Sequence, residues 1–443
     1  MAVNDLRQEV RSLDIGSKMY EMVRGLYPIC RSITGDGVRE TLGQIAARLP
    51  DLEMLEVSTG TAVLDWSIPR EWSVRDAYIA DLNGVRLVDF RKSNLHLLNY
   101  SSPFRGRLKG SELLSHLFTL ADRPNLIPYR TSYYSDNWGF CLPHDWLTNF
   151  RDDEVYEVVI DTELLSDGSL TYGELLVPGS CSDEVLVSCH VCHPSLCNDN
   201  LSGIAVAAAL AALLIKVDHR LSYRFVFVPG TIGSIAWLAR NRERASLVRH
   251  GLVLTGVGDR GAPTYKRSRR GDAEIDRAAA HVLALGGRAH EMRDFSPWGY
   301  DERQYCSPGF DLPVGCLMRT PHGEYPEYHT SADDLDFVTA ESMTDTLEIC
   351  LAMFDVIERN GVYRNLNPYG EPQLGRRGIY GAIGGSSDKR ADELALLWVL
   401  NMSDGSRSLL DVAERSKLPF DVVARAAQIL TEHELLAQVE VSG

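Results

Sequence analysis

From about residue 176 the sequence alternates short apolar runs with longer periodic stretches, and this alternation narrows the fold more than any other feature. "EVLVSCHV" reads as a buried strand and "SGIAVAAALAALLIKV" as an apolar helix. "YRFVFVPG" with "SIAWLARNRERA" repeats the pair, and "GLVLTGVG" with "GDAEIDRAAAHVLAL" repeats it again. "DLPVGCLM" adds a strand, and "SADDLDFVTAESMTDTLEICLAMFDVIERN" supplies a last long helix. Strands joined through helices run parallel, and the helices cover both faces of the sheet. The expected class is α/β, with a mainly parallel sheet flanked by helices. Chemistry in such sheets collects at the carboxyl ends of the strands.

The remaining segments have other textures. Residues 5–60 carry apolar positions at three- and four-residue spacing and read as helix, turn, helix. Residues 61–175 are β-rich, with hairpins expected about Asn83-Gly84 and Asp167-Gly168. A Gly-, Pro- and Ser-rich linker covers 365–387, and 388–443 read as three short helices of a winged helix-turn-helix. The expected domains are therefore 1–60 with 176–364 as one discontinuous α/β domain, 61–175 as an inserted β-rich domain, the linker, and the tail.

Composition removes several classes of function. A formal charge of −16 opposes binding to nucleic acid or an anionic membrane, since either would repel the chain. No apolar run approaches the roughly 20 residues that span a bilayer. "MAVNDLRQEVRSLDIGSKMY" lacks the apolar centre of a signal peptide, and nine cysteines show no disulfide framework. A cytoplasmic location with reduced thiols is expected. The tail from Asp388 holds ten acids against six bases, and its would-be recognition helix has Arg425 alone. Packing or homo-oligomer formation is expected of it rather than DNA binding.

The stretch 188–203, "SCHVCHPSLCNDNLSG", concentrates metal-ligand chemistry. Cys189, Cys192, Cys197 and His193 suit a structural zinc knot, although no second cluster lies nearby. Buried cysteines around a strand end are the plainer alternative. A catalytic alternative rests on position. His190 ends a strand, Asp199 precedes the helix that opens at "LSGIAVAA", and "PEYHTSADDLD" offers His329 at another junction. A borderline metal such as zinc accepts this mixture of nitrogen and oxygen donors.

"HVCHPSLCNDNLSGIAVA" together with "YHTSADDLD" resembles the zinc aminopeptidase clan. "SNLHLLNYSSPF", "TSYYSDNWGFCLPH", "YKRSRRG", "DERQYCSPGFDLPVG" and "RTPHGEYPEYHTSADD" resemble a bacterial aminopeptidase-like family with an inserted β domain and a C-terminal winged helix. The resemblance implies a zinc-peptidase-like fold and His190, Asp199 and His329 as metal ligands. His193 and Asp259 are further candidates, so the cofactor is one zinc ion or two. The implied activity is metal-dependent hydrolysis of an amide beside a free amine, in a peptide or a small aminoacyl compound. In this light Tyr133, Tyr134 and Trp138 overhang the pocket. Arg269 and Arg303 are candidates for substrate contact, a substrate carboxylate being suited to the arginine fork.

One position departs from that family. Where it reads Pro-Glu-Thr-Ile-Gly, this chain reads "PGTIG", so Gly230 replaces the glutamate. Glycine neither accepts a proton nor binds metal through a side chain. Glu327 and Asp301 are the expected substitutes as base, with Glu324 and Glu302 beside them. Sequence alone also suggests that Gly230→Glu would raise the rate. The alternatives are a catalytically weakened metal-site protein that binds a ligand or partner and, as the weakest, a DNA-binding regulator.

Overall fold

The computed structural model describes residues 14–379 and 389–439, together with Val3, Leu6 and Val10. They form two compact units, Met1–Ala273 with Ala289–Glu348, and Glu274–Arg288 with Ile349–Gly443. The first unit is built on an eight-stranded sheet. Its order is Glu53–Ser58, Ser169–Val177, Ser222–Val228, Glu184–His190, Val248–Leu254, Val314–Met318, Thr264–Lys266 and Glu291–Arg293.

The four central strands are parallel, as the alternation implies. The flanks pair antiparallel, apart from the last, parallel pair, so the sheet is mixed rather than mainly parallel. Two of the added strands come from segments with a different expectation. Glu53–Ser58 follows the two helices Ile15–Leu26 and Asp36–Ala46, and only Val57 of its six residues is buried. An edge strand that exposed carries little apolar signal. Ser169–Val177, expected within the insertion, crosses at Asp167-Gly168 into the central sheet instead of folding back as a hairpin.

Helix Gly203–Leu214 is buried almost all round, between the sheet and helix Ile15–Leu26. The segment Cys197–Leu214 is long and apolar enough to cross a membrane, yet 89% of it is buried inside the unit, as in a core helix. At its back the sheet buries an ion triad. Arg224 donates to Glu184 at 2.6 Å and also binds Glu174, which accepts the Trp237 indole N–H.

The insertion is an antiparallel sheet ordered Arg86–Asp89, Glu71–Ala80, Val155–Leu165, Phe104–Lys109. The Asn83-Gly84 hairpin forms as expected, with Gly84 at φ +82 and the Asp81 carboxylate accepting from the N–H groups of Asn83 and Val85.

In the second unit, helices Lys389–Met402, Leu409–Ser416 and Phe420–Glu432 join strands Asp404–Ser408, Val362–Asn365 and Leu436–Gln438. Helix Glu274–Leu285 clusters with this unit. Its Arg277 binds Asp411 and Glu414 at 2.6 Å each, and His281 Nε2 accepts the Phe420 N–H. Residues 380–387 of the expected linker lie outside the described residues.

Candidate metal centre

The strand Glu184–His190 lies between two parallel neighbours, so its carboxyl end opens in the middle of the sheet. His190, its last residue, is wholly buried and directs Nε2 to Asp199 Oδ1 at 2.8 Å. Asp199 sits in a wide turn, Cys197–Ser202, where its own φ/ψ of −110/79 departs from the helix. Asp333 fixes that turn, its carboxylate accepting the Asn198 and Asp199 N–H groups at 2.6 and 3.0 Å. Ser202 ties the turn inward by donating to the Asn198 carbonyl, rather than capping the following helix.

His329 brings Nε2 to 3.0 Å from Asp199 Oδ2. Its backbone is left-handed, φ +53, a strained state for a non-glycine residue. The insertion holds it there: Tyr129 N–H donates to the His329 carbonyl at 2.8 Å, and Pro128 bridges to Thr330. His193 Nε2 lies 3.8 Å from the same oxygen. The buried Arg31 secures that residue by donating to its carbonyl at 2.8 Å.

The charge distribution suits a cation. Burial alone would raise the Asp199 carboxyl, but the His193, His190 and His329 imidazoles hold it well below the usual range. Burial pushes the His193 imidazolium down to about 3, leaving a neutral ring with a free lone pair. Ligand atoms of His190, His193 and Asp199 lie within 4.8 Å of one another. Three imidazoles around one carboxylate fit zinc by donor type. Among the described residues no cysteine joins that group, and burial raises the thiols of Cys189 and Cys197, and Cys192 to about 12.

Residues 20–360 match the family described as a domain of unknown function, DUF4910. The chain belongs to that family. Residues 361–438 match a winged helix-turn-helix family. A protein of Clostridium acetobutylicum, provisionally named a polysaccharide biosynthesis protein with an aminopeptidase-like domain, is 48% identical over 428 residues. That match covers 97% of this chain and 98% of the relative. A crystal structure of a provisionally named peptidase from Clostridium acetobutylicum superposes with a TM-score of 0.93 at 44% identity, covering 99% of this chain and 100% of that one. A zinc aminopeptidase from Bacillus subtilis shares the fold, with a TM-score of 0.55 at 11% identity over 76% of this chain and 94% of its own.

Within this DUF4910 chain the other candidates scatter. Asp259 stands outside the cluster, its oxygens accepting from Asn198 Nδ2, the Gly261 and Thr320 N–H groups, and the Thr320 hydroxyl. Asp301 is fully buried and accepts from Ser234 Oγ at 2.8 Å. Glu302 pairs with buried Lys266 at 2.6 Å, and Glu324 with Arg293. Glu327 is half-buried, two residues before His329, and among the described residues no hydrogen bond or ion pair engages its carboxylate.

Tyr133 reaches the site's edge by sharing a hydrogen bond with Tyr129 at 3.0 Å. Tyr134 instead packs on Trp66 and is exposed, while Trp138 is stacked between Phe104 and His116. Arg269 is paired with Asp311 at the surface. Arg303 is half-buried, with a buried Nε that has no partner.

Several site residues escaped the sequence reading. Tyr300 donates to Asp199 Oδ2 at 2.6 Å and stacks on His190 at 4.3 Å. Tyr328 stacks on His329 at 3.9 Å, and the Tyr129 ring lies 5.1 Å from both His193 and His329. Tyr300 and Tyr328 stand beside Asp301 and His329 in motifs already singled out, which was the available signal. Arg31 and Tyr129 carried none, because their roles depend on distant segments meeting.

Proposed function

We propose that this protein is a zinc-dependent amide hydrolase of the aminopeptidase type, acting on a peptide or a small aminoacyl compound. The observation that carries the proposal is the convergence of His190, His193 and His329 on the single carboxylate of Asp199. These four residues would hold one ion. Asp259, the other candidate ligand, has its oxygens engaged elsewhere, which favours one ion over two. Bound zinc lowers the pKa of a coordinated water to about 7 and polarises a carbonyl.

The chain's own residues supply the rest. Tyr300 keeps its proton, because burial and the neighbouring Asp199 raise the phenol well above its ordinary value. It therefore donates to Asp199 and fixes that carboxylate. Tyr129, Tyr300 and Tyr328 pack against the imidazoles and keep Asp199 buried, which strengthens the electrostatic contacts to that carboxylate. Glu327 is the base this reading favours, since its carboxylate is unengaged and half-exposed. Moving a proton to the leaving amine is typically worth about 10²–10⁴-fold.

Gly230 favours a second reading, a metal-site protein that binds without turnover. Metal content does not separate the two, and turnover does. The test is zinc analysis of the purified protein and of Asp199→Ala, with a hydrolysis screen over aminoacyl amides and peptides. Because the Clostridium relative is named for polysaccharide biosynthesis, amide-bearing sugars join that screen. Near-stoichiometric zinc lost in Asp199→Ala, with turnover of one class, supports hydrolysis. Zinc retained in the variant would move the site elsewhere. Bound zinc without turnover would leave the binder.

The tail favours no nucleic-acid role. Arg425 is the lone base of helix Phe420–Glu432, and Asp392 pairs with it at 3.2 Å. Phosphate neutralisation needs several free cations. Packing or homo-oligomer formation remains the expectation for this module, and a cytoplasmic setting suits the unpaired thiols.

A further inference from the structure

Behind the metal cluster two buried polar atoms lack partners. His190 Nδ1 has no hydrogen bond, and neither does Asp301 Oδ2. One is the donor left over when Nε2 serves as the metal-facing atom, and the other is an acceptor. Both residues flank the space that a side chain at 230 would fill. A Cβ there would lie 3.1 Å from His190 Cβ and 3.5 and 3.6 Å from the two Asp301 oxygens. Tyr300, the residue before Asp301, already stacks on the His190 ring. Ser234 steers the Asp301 carboxylate by donating to Oδ1.

We infer that Asp301 is the positioning residue of the metal site: its carboxylate accepts the His190 Nδ1–H, directly or through one bridging water, across the gap that Gly230 leaves open. Total burial keeps it from touching substrate, so it acts through the histidine. Burial raises its carboxyl to about 6, and the His190 imidazole is the strongest influence opposing that rise. A metal-bound histidine whose second nitrogen meets a carboxylate has its tautomer and orientation fixed. Glycine at 230 is thus the condition for a carboxylate from residue 301 to reach the histidine. The inference rests on the metal reading above.

The test is zinc affinity by competition with a chromophoric chelator, with the visible spectrum of the cobalt-loaded protein as a second readout. Asp301→Asn is expected to weaken zinc by about 10–100-fold and to shift the cobalt bands. Gly230→Ala, which narrows the gap, should move both readouts the same way, and Ser234→Ala, which keeps the carboxylate but frees it from its steering donor, should move them less than Asp301→Asn does. Either of the first two variants suffices if the other fails to fold. Affinity within about threefold of wild type in every folded variant of residues 301 and 230 would overturn the inference. So would a loss matched by equal destabilisation of the metal-free protein with unchanged cobalt bands, which assigns Asp301 to packing. If wild type itself binds no zinc, the metal reading fails first, a result distinct from these.

Discussion

Sequence alone suggests that Gly230→Glu would restore a lost base, whereas the space around residue 230 argues for the opposite outcome. Residue 230 has φ outside the left-handed region, so the backbone does not demand glycine; the space does. The new Cβ would lie 3.1 Å from His190 Cβ, closer than ordinary van der Waals contact. Crowding of this kind costs about 1–3 kcal/mol. The new carboxylate would then enter the region already held by Asp301. Two carboxylates about 5 Å apart at an effective dielectric near 20 repel by roughly 3 kcal/mol. Protonating one relieves the repulsion and removes the base in the same step. Gly230→Glu should therefore fold less stably and lose at least about tenfold in zinc affinity, a change of about 1.4 kcal/mol, with no gain in turnover. The double variant Gly230→Glu/Asp301→Ala removes the competing charge and should recover part of the stability, a coupling that a double-mutant cycle reads directly. The assays are thermal melting, chelator competition and aminoacyl amide hydrolysis on the same preparations. A tenfold rate increase in Gly230→Glu alone, with unchanged zinc, would refute the reasoning.

Three further outcomes are expected. The folded His193 imidazolium titrates at about 3 and the unfolded one at about 6.5, so the unfolded chain binds the extra proton between those values. The metal-free protein should lose up to about 1.4 kcal/mol of stability per unit as pH falls below about 6.5, and His193→Gln should flatten that slope in urea titrations; equal slopes would count against it. Arg224→Leu strands two buried carboxylates and should destabilise by about 3–5 kcal/mol in denaturant unfolding, while a loss below about 1 kcal/mol would mean that water reaches them. The intact protein should show no salt-sensitive duplex binding by fluorescence titration at low salt; micromolar binding that weakens steeply with added salt would overturn this.

What was legible in the sequence was what local pattern encodes. The apolar runs "EVLVSCHV", "YRFVFVPG", "GLVLTGVG" and "DLPVGCLM" overlap the four central parallel strands, because strands covered on both faces are mostly apolar. The strand-end position of His190 and the turn before "SGIAVA" likewise follow from local order. Edge strand Glu53–Ser58 was not legible, since its exposed residues look like any polar segment. The sheet change at Asp167-Gly168 was not legible either, because a turn signal states that the chain bends and not which strand it meets. Asp199 and His329 were found by motif, whereas the coupling of residues 230 and 301 depends on segments about seventy positions apart.

The insertion shows why a site of this kind needs long-range order. His329 occupies a backbone state that costs on the order of 1–3 kcal/mol, so something must over-determine it. Residues 127–131 of the insertion do so through the Tyr129 N–H to the His329 carbonyl, the Ser331 N–H to the Ile127 carbonyl and the Ser331 hydroxyl on the Ile127 N–H. The same stretch delivers the Tyr129 ring between His193 and His329. On the opposite side Asn99 ties the insertion to the first helical segment, accepting from Ser32 Oγ and donating to the Arg31 carbonyl, while Arg31 holds His193. One imidazole is therefore set by the insertion directly, a second by Arg31, which the insertion braces through Asn99, and the third by the central strand. A substitution such as Tyr129→Phe, which keeps the ring and its N–H, should spare the metal site, whereas proline at 129 would delete the N–H that holds His329 and should release that histidine first.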